Sequence, residues 1–183
     1  MERDGNGWIE CGLGHRHWGL HGAAGLLLHN VDADGTLRLL LQHRADWCHH
    51  GGTWGLPGGA RDSHETVEQA ALREAAEETS IDVTEVRVRH TFVDDHGGWS
   101  YTTVYGDSVD ELATDPNEES AELSWVASDG WPTCHCTLAL GTPGHRYDYR
   151  RQRWWWTPQT SLARCPTAGG KTGQERPLAS PRV

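Results

Sequence analysis

The stretch that most constrains this chain is Gly55–Ile81, which reads G-L-P-G-G-A-R-D-S-H-E-T-V-E-Q-A-A-L-R-E-A-A-E-E-T-S-I. Its first half is a glycine-rich loop. Its second half predicts a helix over about Val67–Thr79. Ala70, Ala71, Leu72, Ala75 and Ala76 are strong helix formers, and Thr66 with Gln69 three residues on forms a capping box. The helix carries acids at its wrong end. Glu74, Glu77 and Glu78 stand at i, i+3 and i+4 and so share one face. Glu74 and Glu78 repel by roughly 0.2–0.5 kcal/mol, and each carboxylate near the C-terminus opposes the helix dipole by a further ~0.3–1 kcal/mol. Arg73 offsets only part of this. Local rules broken together often mark a functional site. A hard divalent cation relieves such a cluster, and carboxylate oxygens suit Mg²⁺, which keeps several waters and takes other ligands from substrate phosphates. The plainer reading is a solvated acidic face, since charge runs are usually surface.

The residues around the glutamates favour the first reading. The stretch resembles the Nudix box, G-x5-E-x7-R-E-U-x-E-E-x-G-U with U apolar. Gly59, Glu65, Arg73, Glu74, Ala75, Glu77, Glu78 and Ile81 stand where that pattern needs them, and Ser80 stands where it wants glycine. Eight fixed positions make a far more specific signal than a lone glycine motif. A glycine just past a helix often adopts the left-handed conformation. A Cβ there costs on the order of 1 kcal/mol, which bears on stability and exit angle more than on metal chemistry.

The resemblance implies an α/β fold, the Nudix α/β/α sandwich with a mixed sheet, over about 21–128. It also implies hydrolysis of a phosphoanhydride bond in a nucleoside diphosphate linked to another group. Glu74, Glu77 and Glu78 would hold Mg²⁺, with Mn²⁺ as a substitute, and the Gly58 carbonyl would be a further ligand. Such chemistry asks the protein chiefly for positioning and charge neutralisation. Gly59 and a Glu65–Arg73 salt bridge would support the loop. The general base is left between Glu74, another box glutamate, and Glu119, which lies just before the last strand. Trp54 either stacks on a base, worth ~1–3 kcal/mol, or belongs to the core. The run Trp54–Gly59 resembles the MutT-type branch, which favours nucleoside triphosphates; ADP-ribose and other sugar nucleotides stay open. A second class of reading is a Nudix-fold module that binds a nucleotide without cleaving it. Intact Glu74, Glu77 and Glu78 disfavour that.

A net charge of −10 argues against general nucleic-acid binding. No apolar run reaches the ~18 residues of a membrane span, and the polar N-terminus is no signal peptide, so a cytoplasmic address is expected. Residues 1–20 are expected to be irregular. Cys11, His15 and His17 hint at zinc, with Cys48, His49 and His50 as further ligands. Their spacing lacks the paired C-x2-C signature, and free thiols with solvated histidines are the preferred reading. Strands are expected over His21–Asn30, Leu37–His43, Val83–Phe92, Trp99–Tyr105 and Glu122–Ala127. An acidic loop, Asp107–Glu119, precedes the last.

Composition breaks near Asp129. Residues 1–128 hold 8 basic and 23 acidic residues; residues 129–183 hold 8 and 3, with six of the eight prolines and Trp154-Trp155-Trp156. The tail reads as a disordered extension, as a basic-aromatic nucleic-acid segment, or as the product of a frameshift. For the last, shifting the codons of Gly130–Gly141 back by one base permits V-A-D-L-P-L-H-P-G-L-G. That line resembles the segment leading to a closing helix in many Nudix proteins. On this reading the closing helix is lost, apolar sheet surface is left uncovered, and the enzyme is weakened despite an intact metal site.

Overall fold

Strand alternation decides the layers. In strand β3 (Ala23–Val31), Leu26 and Leu28 point to one side and Leu27 to the other, and the chain builds an apolar cluster on each. The computed structural model describes residues 3–127, together with the backbone of two short strands further on. β3 is the sheet's axis. It pairs antiparallel with β4 (Leu37–Arg44), antiparallel with β6 (Gly58–Ala60) and parallel with β8 (Ser100–Asp107). β5 (Trp54–Gly55) and β9 (Ser120–Ala127) both pair with β4, and β7 (Arg87–Asp95) closes the other edge against β8. The sheet is therefore mixed.

Helix α1 (Val67–Thr79) lies on the Leu26 and Leu28 face. Ala70, Ala71 and Ala75 are fully buried there against Leu40, Val104 and Ile81. Small side chains let the helix axis come close to the strands, which brings its glutamates to the β6 loop. The capping box is present, with Thr66 and Gln69 bonded reciprocally. On the opposite face Leu27, Leu39, Leu41 and Tyr105 are each under 5% exposed.

Two expectations are corrected by the backbone. Residues 1–20 are not irregular throughout: β1 (Trp8–Glu10) and β2 (Arg16–Trp18) form an antiparallel hairpin. The signal is weak because each strand has three residues and the turn relies on Gly14 at φ +77°. The strand expected over Val83–Phe92 begins later, after a 3-10 turn at Val83–Glu85, and its residues are mostly exposed as an edge strand. Two further strands, β10 (His145–Asp148) and β11 (Arg153–Trp156), pair antiparallel. The disorder, the lost closing helix and the frameshift expected for 129–183 otherwise lie outside the described residues. Among those described, no helix is long and apolar enough to cross a membrane.

Candidate active site

The loop Gly55–Ala60 enters the sheet beside β3 and is pinned on its inner side. A Cβ on Gly58 would fall 2.5 Å from the Ala24 carbonyl oxygen and from Gly25 Cα, and one on Gly59 would fall 2.8 Å from the Glu74 carboxylate. Both positions need glycine because backbone or carboxylate occupies the space. Gly59 in particular lets Glu74 lie against the loop. Gly25 is similarly required, since the Tyr101 hydroxyl occupies its side-chain space.

The entry to α1 is a closed ionic network. Arg73 Nε and Nη2 donate to the two oxygens of Glu65 at 2.6 and 2.8 Å, and Nη2 also reaches the Ala60 carbonyl at 3.0 Å. The Asp62 N–H donates to Glu65 at 3.0 Å. The guanidinium bonds hold the Glu65 carboxyl down to about 2 and raise Arg73. This is the pair that the resemblance implied, and it fixes the loop between β6 and the helix.

The other end of the helix is different. Glu78 is only 3% exposed. One of its oxygens accepts the Gly58 N–H at 2.7 Å, and the other lies 3.7 Å from Arg44 Nη1, too far for a hydrogen bond. Burial pushes this carboxyl up to about 7, against the weaker opposing pull of Arg44, the Gly58 N–H and the Gln42 side chain. Glu74 is also raised by burial, although Arg73 Nη1 donates to it at 2.7 Å. Glu77 is more open and pairs with Arg3 and, at 3.4 Å, with Arg73. The three carboxylates therefore share a face; Glu74 and Glu77 share Arg73, while Glu78 turns to Gly58 and Arg44. With Gly58, they are the residues that could hold a divalent cation, and an under-neutralised buried carboxylate such as Glu78 fits that donor set.

Glu119 lies on an exposed loop held against the same end of α1. The Asn117 N–H donates to the Glu78 carbonyl at 3.4 Å and the Ser120 hydroxyl donates to it at 2.9 Å, while the Ala45 N–H donates to the Glu119 carbonyl. Trp54 is half-buried against the Leu27, Leu39 and Leu41 cluster, with its ring 5.1 Å from His43. Two surface concavities, of about 580 and 490 Å³, lie around Asn30, Val31 and Val109 at the far end of β3 and hold none of these residues.

Sequence reasoning missed three neighbours. Arg44 faces Glu78 from β4. Gln42, fully buried, links that strand to Ser120 at 2.9 Å. The N-terminal segment reaches the site from a distance: Asp4 accepts from Ser63, and the Asp4 and Gly5 N–H groups donate to Asp62. None of these has a local signal, because each contact joins residues far apart in the chain.

Comparison with known proteins agrees with this geometry. The NUDIX domain family model matches residues 19–132. A Mycobacterium tuberculosis protein named "Putative 8-oxo-dGTP diphosphatase 3" is 54% identical over 169 residues, covering 82% of this chain and 77% of its own. A Bifidobacterium longum nucleoside triphosphate pyrophosphatase/Nudix hydrolase fusion protein is 38% identical over 157 residues, covering 82% of this chain and 32% of its own. The crystal structure of RenU, a Nudix hydrolase from M. smegmatis, superposes with a TM-score of 0.65 at 51% identity, covering 70% of this chain and 83% of that one. The chain belongs to the Nudix family and is a Nudix-type pyrophosphohydrolase acting on acid anhydrides.

Proposed function

We propose that this protein hydrolyses nucleoside triphosphates at a phosphoanhydride bond, with Mg²⁺ held at the C-terminal end of α1. The observation that carries this reading is Glu78: a buried carboxylate raised by its burial, with Arg44 no nearer than 3.7 Å and two further acids on the same helix face. A bound Mg²⁺ would neutralise phosphate charge and activate water. Glu74, Glu77 and Glu78 are the proposed carboxylate ligands and the Gly58 carbonyl the proposed backbone ligand. Mn²⁺ would serve in place of Mg²⁺.

The chain's own residues supply placement. Glu65 and Arg73 fix the loop, and Gly59 leaves room for Glu74. Glu74 and Glu119 are the candidates to take the proton from water. Glu74 is favoured by its raised affinity for a proton; Glu119 is favoured by its exposure on a loop held against the same end of α1. Trp54 is proposed to offer its free edge to the nucleobase while its other side stays in the core. The triphosphate reading is supported by the name of the M. tuberculosis relative, which points to oxidised guanine nucleotides. Phosphate and pyrophosphate release should be measured on a panel of nucleoside triphosphates, 8-oxo-dGTP among them, ADP-ribose and sugar nucleotides, with and without Mg²⁺. Triphosphate turnover that needs the metal is expected. Turnover of sugar nucleotides alone would overturn the substrate class, and nucleotide binding without turnover would favour the sensing module.

A further inference from the structure

We propose that Cys11, His15, His17 and His96 form a structural zinc site, separate from the glutamates of α1, that clips the N-terminal hairpin to the sheet. One potential ligand atom from each of the four residues lies within 4.8 Å of all the others. The arrangement has a clear origin in the fold. Cys11 directly follows the first strand of the hairpin, His15 directly precedes the second, and His17 is the middle residue of that second strand. His96 comes from the tight turn between β7 and β8, which passes through Gly97 and Gly98 at φ +72° and +82°. The two hairpins are joined directly by the Gly12 N–H, which donates to the Gly97 carbonyl.

Burial is what makes the group more than a coincidence of histidines. Cys11 is 5% exposed and His96 1%. Neither ring nitrogen of His96 has a hydrogen-bond partner, and Nε2 of His17 is likewise buried without one. Buried imidazole nitrogens are normally satisfied, so an unpartnered buried nitrogen from each of two rings, grouped with a buried thiol, points to a ligand. The Asp94 carboxylate stands 3.3 Å from His96 Nε2 without hydrogen-bond alignment. A carboxylate at one ring nitrogen is the usual orienting partner when the other binds a metal. Stacking of His17 on Trp99, at 3.9 Å and 8°, fixes a second ring.

Ligand chemistry selects the metal. One thiolate and three imidazoles in a compact group suit tetrahedral Zn²⁺. Zinc bonds of ~2.0–2.3 Å place ligand atoms roughly 3.3–3.6 Å apart, so side-chain rotation need draw the group in by only about an ångström. With four protein ligands the site would be closed and structural rather than catalytic. Cys48, His49 and His50, which the sequence offered as partners, stay outside the group. Cys48 lies against the Glu119 carbonyl and His49 against Trp8. His96 takes their place, eighty residues further along than the histidines of β2 suggest by spacing alone.

The test is metal content of the full chain purified without added metal, followed by Co²⁺ exchange. About one zinc per chain is expected, with a tetrahedral thiolate spectrum on cobalt substitution. Cys11→Ser and His96→Ala should each lose the zinc, and His96→Cys should retain it, which separates loss of a ligand from loss of folding. His49→Ala should keep it. A combined Cys134→Ser, Cys136→Ser and Cys165→Ser variant should also keep it. Zinc below about a tenth of an equivalent in the unaltered protein, with no cobalt spectrum, would overturn the proposal, as would zinc that leaves with the C-terminal cysteines and survives Cys11→Ser.

Discussion

Glu65 and Glu78 lie at the two ends of one helix and meet opposite fates. Glu65 receives two guanidinium bonds and a backbone N–H, and its carboxyl is held down to about 2. Glu78 is more deeply buried and has no bonded guanidinium, only the Gly58 N–H, the Gln42 side chain and Arg44 at 3.7 Å, and its carboxyl is pushed up to about 7. Burial sets the direction at Glu78, and the bonded guanidinium of Arg73 sets it at Glu65. Structure is finished within the chain at the first end. At the second, Arg44 at 3.7 Å offsets the burial of Glu78 only in part, and a raised buried carboxyl of this kind is the feature on which the proposed metal site rests.

Removing the unfinished carboxylate should have the largest effect. Glu78→Gln is expected to lower Mg²⁺-dependent kcat/KM by about 10²-fold or more, the scale on which single groups stabilising transition-state charge act. Steady-state kinetics over a Mg²⁺ series checks this, and near-full activity in the variant would break the comparison. Removing the finished carboxylate should act on stability instead. Glu65→Gln replaces a charged bidentate partner of Arg73 and is expected to destabilise by roughly 1.5–3 kcal/mol, read by urea denaturation. If Glu65→Gln abolished turnover while leaving stability unchanged, the two ends would have exchanged roles.

The two carboxyls also predict opposite pH slopes in metal-free protein. Glu65, lowered in the fold, contributes stability that is fully present above its unfolded value near 4.5 and is lost as pH falls toward 2. Glu78, raised in the fold, favours folding below about 4.5, and that contribution is lost as pH rises through 7. Denaturation in chelator between pH 4.5 and 8 should therefore show a downward slope that Glu78→Gln flattens. An unchanged slope would show that Glu78 titrates normally.

The smallest effect is expected at Ser80. It does adopt the left-handed conformation, at φ 57°. Glycine there should gain on the order of 1 kcal/mol from relief of strain, but the Ser80 hydroxyl donates to the Asp115 carbonyl at 3.0 Å, a bond worth roughly as much. Ser80→Gly is expected to change stability by less than about 0.5 kcal/mol. A gain of a full kilocalorie per mole would mean that the hydroxyl bond contributes nothing.

These contrasts follow what was legible in the sequence. The helix, its capping box and the glutamate face rest on local composition and short spacings, the Glu65–Arg73 pair was implied by the resemblance, and each is found at those positions. The hairpin partners β3 and β4 were legible for the same reason. The N-terminal hairpin was not, because three-residue strands carry no period. Nor were Arg3 on Glu77, Arg44 on Glu78, or His96 beside Cys11. Those contacts are set by how the sheet folds back on itself, so no window along the chain contains both partners.

The central claim is that the C-terminal end of α1 lacks a charge that a divalent cation supplies. Thermal unfolding of the unaltered protein and of Glu78→Gln, titrated with MgCl2 at pH 8, tests it most directly. The unaltered protein should gain roughly 5–10 °C, since a ligand at ~100 times its Kd adds about 2.7 kcal/mol to a folded site, and Glu78→Gln should gain little. An absent shift up to millimolar Mg²⁺, or an equal shift in both proteins, would contradict the account.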